Sequence, residues 1–257
     1  MTSTSTVPPA TAVMAVRAAV APLLGDARIS ASLTSQLLAG ELVDVLEERA
    51  DWIRVRGPDA YEGWTHRGYL TAPTGDESAW AYSLGATVCD AGGERRLPLG
   101  ARVSSGAETV EGEVVAARAL RARFPREGTL IAASAASLFR GTSYLWGGVT
   151  PWGSDCSGFV QRVFALHGVA LLRDAWLQAG QGTERTGGAG EPHAAGDLLY
   201  FTDREDRRVT HVGIALGGAR MVHSSLSRGG VAVEQMDGDD PYVVRLRAGC
   251  TGVRGVL

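Results

Sequence analysis

The stretch Gly153-Ser154-Asp155-Cys156-Ser157-Gly158-Phe159-Val160 predicts a helix that begins at Asp155 or Cys156. Ser154 or Asp155 is a good N-cap, so Cys156 falls in the first helical turn. There the unpaired backbone N–H groups and the positive end of the helix dipole favour the thiolate over the thiol. Gly158 has no side chain, which allows the helix start to pack closely against another element. The sequence therefore predicts a reactive cysteine here, and a buried structural cysteine is the alternative.

Two of the five histidines, His211 and His223, lie in strand-like sequence on either side of Gly217-Gly218, which predicts a β-hairpin. The predicted core-facing residues of this hairpin are Val212, Ile214, Leu216 and Val222. For both imidazoles to share the other face, paired residue numbers must sum to an even value. The turn is then odd in length or contains a bulge, with the two glycines at positive φ. Such a hairpin would place a general base and an orienting group beside the cysteine helix.

Two other interpretations of these residues stay open. The histidines could be ordinary core residues, or Cys156 could join them in a zinc site, although no short C-x-x-C ligand pair supports one. The remaining histidines, His66, His167 and His193, are predicted to lie on the surface.

The composition excludes several classes of protein and of chemistry. Hydrophobic residues make up 45% of the 257 residues, which excludes wholesale disorder, and a net charge of -3 argues against nucleic acid as a partner. All 25 basic residues are arginine, so a lysine nucleophile, a lysine Schiff base and a P-loop are excluded. No stretch reaches the ~18 apolar residues of a membrane span, and no secretory signal is evident. A cytoplasmic protein that contacts no membrane is therefore expected.

The pattern along the chain predicts a polar tail followed by three folded units. Residues 1–11 form the tail, and residues 12–72 contain short alternating strands typical of a small all-β barrel. Residues 77–124 are again rich in strand patterns and are interpreted as a second, divergent barrel, with one larger all-β domain as the alternative. Residues 127–257 contain helices followed by a run of strands, which predicts an α+β domain.

Four motifs in the last unit resemble the NlpC/P60 superfamily of papain-like cysteine peptidases. They are Tyr144-Leu-Trp-Gly-Gly148, Asp155-Cys-Ser-Gly-Phe-Val160, Gly196-Asp-Leu-Leu-Tyr-Phe201 and His211-Val-Gly-Ile214. The resemblance implies Cys156 as nucleophile, His211 as general base and His223 as the residue that orients His211. It implies an α+β papain-like fold in which the cysteine helix packs on an antiparallel sheet, and it implies no cofactor. Members cleave cell-wall peptides, most often between γ-linked D-glutamate and a diamino acid.

The domain order and Leu171-Leu-Arg-Asp-Ala-Trp-Leu-Gln178 are similar to the YkfC-type γ-D-glutamyl-L-diamino-acid endopeptidases, which carry two bacterial SH3-like barrels ahead of the peptidase. In those enzymes the first barrel closes one end of the cleft, so that only peptides with a free N-terminal L-alanine are accepted. The resemblance implies that Asp174 pairs with the α-ammonium of the substrate and that Tyr61 reaches it from the first barrel. The other implied substrate and oxyanion residues are Tyr144, Trp146, Asp155 and Ser157.

Two positions depart from the pattern of that subfamily. Thr34 stands where relatives carry a glutamate that helps to bind the ammonium, and Ala175 stands where a serine is usual. Asp174 would then be the main countercharge, since a buried ammonium needs an anion or acceptor. Alternatively, Tyr61 is barrel core and Arg173-Asp174 is an ordinary surface pair.

These features together predict a cytosolic cysteine peptidase that trims released murein peptides of the type L-Ala-γ-D-Glu-diamino acid. An exported wall hydrolase acting on intact murein would use the same chemistry. A peptide-binding protein with a relic catalytic domain and an acyltransferase are the alternatives from other classes. The sequence leaves open which diamino acid is accepted.

Overall fold

A computed structural model of the chain describes residues 12–73, 80–90, 92–104 and 106–257. The predicted tail, residues 1–11, lies outside the described residues, as do residues 74–76 of the segment that joins the first two predicted units. The described part consists of two β regions followed by a region that contains both helices and strands.

The first β region is an antiparallel sheet. Its strands are β1 (Ala12–Val16), β2 (Val20–Leu24), β3 (Leu33–Leu38), β4 (Leu42–Arg49), β5 (Trp52–Arg56), β6 (Glu62–His66) and β7 (Leu70–Thr71). They pair in the order β3-β2-β6-β5-β4-β1-β7. Alternate residues are buried along β5 and through the first half of β4, as the period-two pattern predicted, and Val43, Val45, Ile53 and Val55 lie in one core.

The strands described in this region do not form a closed barrel, so the predicted barrel is not confirmed in that form. Closure would require the two edge strands, β3 and β7, to pair with each other. β7 consists only of Leu70 and Thr71, and both of these residues pair with β1. Pro73 then follows, and proline has no N–H with which to extend a ladder.

The second β region does not repeat the strand order of the first. Its strands are β8 (Ala81–Ser83), β9 (Thr87–Asp90), β10 (Gly93–Arg96), β11 (Arg102–Val103), β12 (Glu108–Glu111) and β13 (Val114–Ala116). In the described residues they form two separate sheets, β10-β9-β12 and β11-β8-β13, so a second barrel is not confirmed. Their shared core includes Leu38 and Ala39 from the first region and Val149 from the third. This region is therefore packed between its two neighbours.

The third region has the predicted α+β arrangement. Its helices are α1 (Ala117–Arg123), α2 (Gly128–Leu138), α3 (Cys156–Leu166), α4 (Ala175–Gln178) and α5 (Pro241–Ala248). Its strands are β14 (Val149–Thr150), β15 (Gly153–Ser154), β16 (Thr183–Arg185), β17 (Leu198–Phe201), β18 (His211–Gly217), β19 (Arg220–Ser225), β20 (Gly230–Gln235) and β21 (Cys250–Gly255). The antiparallel sheet has the order β16-β21-β17-β18-β19-β20, and Phe159 and Val163 of α3 pack against its residues Tyr200 and Ile214. Every helix in the described ranges is too short or too polar to cross a bilayer.

The hairpin formed by β18 and β19 has the predicted parity. Ile214 pairs with Val222 and Ala215 with Met221, so the paired numbers sum to an even value. The register shifts between Ala215 and Gly217, which is the predicted bulge, and φ is 95° at Gly217 and 63° at Gly218. His211 and His223 therefore lie on the same face of the sheet.

The prediction that three histidines lie on the surface is wrong for two of them. His167 is 1% exposed, and its ring nitrogens lie 2.6 Å from the carbonyl oxygen of Pro125 and 3.0 Å from the hydroxyl of Ser134. His193 is also buried, with Nε2 2.9 Å from the carbonyl oxygen of Gly188. Both rings can be buried because they have hydrogen-bond partners, which sequence spacing does not reveal.

Close backbone contacts hold the first β region against the third. Gly147 has a φ of 76°, and a Cβ there would lie 2.7 Å from Cγ of Leu33. The backbone N–H of Val149 donates to Oε1 of Gln36 at 3.0 Å. Gly158 also lacks room for a Cβ, which would lie 2.2 Å from the carbonyl oxygen of Gly148. The first β region, the Tyr144–Gly148 loop and the start of α3 are thus packed in direct contact.

Candidate active site

Cys156 lies in the first turn of α3, and Asp155 is the N-cap, with Oδ1 accepting from the N–H of Gly158 at 2.7 Å. The thiol is buried, and Sγ lies 3.9 Å from the carbonyl oxygen of Thr210. Burial and then the negative charge of Asp155 raise the pKa of the thiol to about 12, although the N–H groups of Val212 and Ser157 act in the opposite direction. Desolvation thus acts against the predicted thiolate and outweighs the stabilising groups at the helix start.

His211 and His223 form a hydrogen-bonded pair beside the cysteine. Nε2 of His211 lies 2.7 Å from Nδ1 of His223, and the two rings are edge to face. His211 lines the same cavity as Cys156. Burial, followed by the proximity of His223, lowers the pKa of His211 to about 3. The imidazole is therefore neutral at neutral pH and can accept a proton.

Glu234 extends the hydrogen-bonded pair of His211 and His223 to a third residue, which the sequence did not predict. Its Oε1 lies 3.3 Å from Nε2 of His223, and Arg228 donates to both carboxylate oxygens, at 2.7 and 3.0 Å. Burial raises the pKa of Glu234, but the hydrogen bonds from His223 and Arg228 lower it further, to about 2. The carboxylate is therefore ionised and can only accept.

The contact with Glu234 determines which ring nitrogens carry protons. Nε2 of His223 must donate to the carboxylate, so Nδ1 of His223 accepts from Nε2–H of His211. Nδ1 of His211 is then the unprotonated nitrogen. This is the tautomer that a general base needs. Glu234 could not have been found from sequence, because its place near His223 follows from the register of β19 and β20.

A buried ion pair supports the start of α3. Arg173 is 2% exposed and donates to both oxygens of Asp155, at 3.1 and 2.6 Å, to Oγ of Ser157 at 2.9 Å and to Oγ of Ser35 at 2.9 Å. The interpretation of Arg173 as part of a surface pair is therefore wrong. Asp155 also accepts from the N–H of Gly147 at 2.9 Å. Since its oxygens are occupied, a direct contact of Asp155 with substrate stays a prediction, as does that of Ser157.

Asp174 and Tyr61 meet across the boundary between the first and third regions. The hydroxyl of Tyr61 donates to Oδ1 of Asp174 at 3.4 Å, and the ring of Tyr61 packs against the core of the first region. Burial and the charge of Asp174 raise the pKa of Tyr61, so the phenol keeps its proton. Asp174 is the N-cap residue of α4 but makes no side-chain cap hydrogen bond. Its carboxylate is thus available to a ligand.

These two residues line a cavity of about 540 Å³, which we call the Asp174 cavity. Its lining includes Tyr61, Trp146, Cys156, Asp174, Trp176 and Arg208. Trp146 is 67% exposed, so a large apolar surface faces the solvent at this site. Thr34 and Ala175, the two departures from the subfamily pattern, also line it.

A second cavity of about 400 Å³, the Tyr242 cavity, begins at the same cysteine. Its lining includes Tyr144, Cys156, Asp203, His211, Tyr242 and Arg245. Burial raises the pKa of Tyr144, followed by the negative charge that Cys156 carries when ionised and by that of Asp155, so the hydroxyl remains a donor beside the thiol. Cys156 thus lies where two cavities meet, which suits a nucleophile that attacks the middle of an extended substrate.

The structure brings the predicted site residues together at these two cavities or in their walls, apart from His223, which is fully buried behind His211. In the part of the chain that the structure describes, no three His, Cys, Asp or Glu side chains form a group that could hold a metal ion.

Two models of known protein families match parts of this chain. The model of the NlpC/P60 family matches residues 141–245, and the model of a bacterial dipeptidyl-peptidase SH3 domain matches residues 23–67. The chain is 30% identical over 228 residues to a γ-D-glutamyl-L-lysine dipeptidyl-peptidase of Bacillus subtilis, covering 75% of this chain and 72% of the relative. It is 24% identical over 262 residues to dipeptidyl-peptidase 6 of Lysinibacillus sphaericus, covering 88% of this chain and 92% of the relative.

A solved structure has the same fold over almost the whole chain. An NlpC/P60 family protein from Bacillus cereus superposes with a TM-score of 0.78 at 17% identity, covering 96% of this chain and 100% of that one.

Proposed function

Since the chain belongs to the NlpC/P60 family and is a hydrolase with an N-terminal bacterial SH3 domain, we propose that it cleaves the γ-D-glutamyl–diamino acid bond of murein peptides with a free N-terminal L-alanine. The observation that carries the proposal is the contact between Tyr61 and Asp174 at the cavity that begins at Cys156. An ammonium group could bind there, between the two domains, because an anion and a hydroxyl face it.

The proposed reaction begins with a neutral thiol and a neutral imidazole. Nδ1 of His211 takes the proton of Cys156 while Sγ forms a bond to the γ-carbonyl carbon. The carbonyl becomes an oxyanion, to which the protonated hydroxyl of Tyr144 can donate. The C–N bond then breaks, and His211 returns the proton to the leaving amine of the diamino acid.

A water molecule completes the cycle by attacking the thioester. His211 takes a proton from the water, the C–S bond breaks, and Cys156 recovers its proton as the free γ-carboxyl group is released. These steps consume one water molecule and need no metal or organic cofactor.

The free amine argues for released peptides as substrates. In intact murein the L-alanine nitrogen is part of an amide, so it carries no charge to pair with Asp174, and that carboxylate would lose its counterion. We propose a role in the recycling of murein peptides in the cytoplasm. The free thiols of Cys89, Cys156 and Cys250 are consistent with a reducing compartment.

We also propose that the β regions serve as walls of the cleft, the first as an SH3-like module that closes one end. The hydrogen bond from Arg173 to Ser35 and the packing of Gly147 on Leu33 support this role. The second region, as a divergent SH3-like module, would hold the first in place through their shared core.

The test is mass spectrometry of the products of L-Ala-γ-D-Glu-L-Lys and of its diaminopimelate analogue, each compared with its N-acetylated form. We expect release of the free diamino acid from the free-amine peptides and cleavage at least about tenfold slower after acetylation, because the charge that pairs with Asp174 is lost. Equal rates for both forms, or preferential digestion of intact murein sacculi, would favour an exported wall hydrolase instead.

A further inference from the structure

The proposed substrate brings two opposite charges into the Asp174 cavity. One is the α-ammonium of L-alanine and the other is the α-carboxylate of D-glutamate, which is free because the chain continues through the γ-carboxyl group. These charges lie on adjacent residues, whose Cα atoms are about 3.8 Å apart across a trans peptide bond. Their counterions should therefore line the same cavity. Asp174 can pair with the ammonium of the substrate, and the α-carboxylate of D-glutamate needs a cation.

Three arginines line the Asp174 cavity, and they differ in their existing partners. Arg173 is buried and donates to Asp155, Ser157 and Ser35. Arg204 donates to both oxygens of Asp206, at 2.9 and 2.7 Å.

Arg208 is the cation that has donors available. Among the described residues its guanidinium donates no hydrogen bond, and its carbon Cζ lies 4.6 Å from the ring centroid of Trp176. Stacking on an aromatic face holds the planar group while leaving its edge open to a carboxylate. Trp176 follows Asp174 by two residues, so the stacked guanidinium lies close to the ammonium-binding end of the cavity.

A missing hydroxyl nearby strengthens the need for this cation. Ala175 lines the same cavity and is buried, so this position has no side-chain donor for a carboxylate. The hydroxyl of Ser157, which also lines the cavity, already accepts from Arg173 and donates to Asp155 at 3.3 Å.

We infer that Arg208 binds the α-carboxylate of the γ-linked D-glutamyl residue and makes the enzyme discriminate against peptides in which that carboxyl group is a carboxamide. The inference rests on the proposed function. A guanidinium can pair with a carboxylate through two parallel hydrogen bonds, whereas a carboxamide offers one oxygen and no charge. Arg208 would then bind the α-carboxylate of D-glutamate, and Asp174 the α-ammonium of L-alanine, at the same end of the peptide.

The test measures kcat/KM for two peptides, L-Ala-γ-D-Glu-L-Lys and the same peptide with the α-carboxyl group of D-glutamate amidated. The wild-type enzyme should prefer the acid by about tenfold or more, as expected for a charge-assisted hydrogen bond. Arg208→Gln should lose about tenfold on the acid and little on the amide, so that the preference disappears. Arg208→Lys should retain part of it, since the charge remains but the planar fork is lost.

Arg207→Gln is the matched control, because it removes the same charge from the neighbouring position. Arg207 is exposed, does not line the Asp174 cavity and donates to the carbonyl oxygen of Cys250 at 2.9 Å. This variant should keep the wild-type preference for the acid. Thermal unfolding of each variant would establish that it is folded.

The outcomes distinguish a failure of the role of Arg208 from a failure of the proposed peptidase function. Cleavage of the acid by wild type with an unchanged preference in Arg208→Gln would overturn the role of Arg208 alone. A loss of preference in Arg207→Gln equal to that in Arg208→Gln would also overturn it, since the effect would then be that of net charge. Failure of the wild type to cleave either peptide would overturn the proposed function and the inference together.

Discussion

The two histidines and the glutamate of the catalytic end lie on one antiparallel sheet, whereas the proposed ammonium-binding end lies between two domains. His211 and His223 are on adjacent strands and are joined at 2.7 Å, and Glu234 follows on the next strand. Tyr61 and Asp174 are 113 positions apart in the chain and their contact is 3.4 Å long. The histidines and Glu234 are therefore positioned by strand register, and the contact between Tyr61 and Asp174 by the packing of two domains.

The catalytic and substrate ends of the cleft also differ in the charge of their side chains. At the catalytic end, burial keeps the thiol and the imidazole neutral. At the substrate end, Asp174 is only partly buried, and its carboxylate accepts a long hydrogen bond from the hydroxyl of Tyr61. Loss of a catalytic group should thus affect all substrates, whereas loss of a group at the substrate end should affect only substrates with the matching charge.

The largest effect is expected for Cys156→Ala. Without the nucleophile no thioester can form, so turnover of the free-amine tripeptide should fall by at least about 1,000-fold. The variant should stay folded, because alanine fills most of the space of the buried thiol. Single-turnover assays together with thermal unfolding check both parts. Turnover above one tenth of the wild-type rate in the folded variant would contradict the covalent mechanism.

Asp174→Asn comes next. It removes the charge that pairs with the α-ammonium, which should lower kcat/KM for the free-amine peptide by about 10- to 100-fold. The variant and the wild type should cleave the N-acetylated peptide at nearly the same rate, since that peptide has no ammonium group to pair with Asp174. An equal loss on both peptides would mean that Asp174 supports the fold of the cleft and does not select the amine.

Glu234→Gln should lower kcat by about tenfold with little change in KM, because the imidazolium that forms during the reaction would lose a nearby negative charge. Glu108→Gln, an exposed change in the second β region, is the control and should have no effect. A rise in KM at constant kcat would contradict a role for Glu234 in positioning the histidines.

The pH dependence should distinguish a neutral catalytic pair from a thiolate. The pKa of His211, about 3, keeps the base neutral above about pH 4, and the pKa of Cys156, about 12, keeps the thiol protonated below about pH 11. Both groups are then in the reactive form from about pH 5 to 7, so kcat/KM should be flat there. Above about pH 8 it should fall as the α-amine of the substrate, with an ordinary pKa near 8, loses its charge. A steady rise of kcat/KM from pH 6 to 8 would contradict the neutral pair.

The smallest effect is expected for Tyr61→Phe. The hydrogen bond from its hydroxyl to Asp174 is long, at 3.4 Å, so its loss should lower kcat/KM for the free-amine peptide only about threefold. The ring would still pack against the core of the first region, so the melting temperature should hardly change. An effect as large as that of Asp174→Asn would show that the hydroxyl contacts the substrate directly.

Several features of the site could be predicted because they depend on local rules. The helix start at Cys156 follows from an N-cap residue ahead of an apolar face, and the shared face of the two histidines follows from parity and the glycine turn. The motifs around them placed the chain in its family, which the comparisons bear out.

Other features depend on contacts between residues far apart in the chain. The sequence alone determined the family, the cysteine helix and the histidine hairpin, because capping, periodicity and strand alternation act over a few residues. Only the tertiary structure decided that Arg173 is buried against Asp155, that Glu234 contacts His223 and that Arg208 lies over the ring of Trp176. It also decided that the pKa of the thiol is raised, since that shift comes first from burial, and burial is a property of the whole packed molecule.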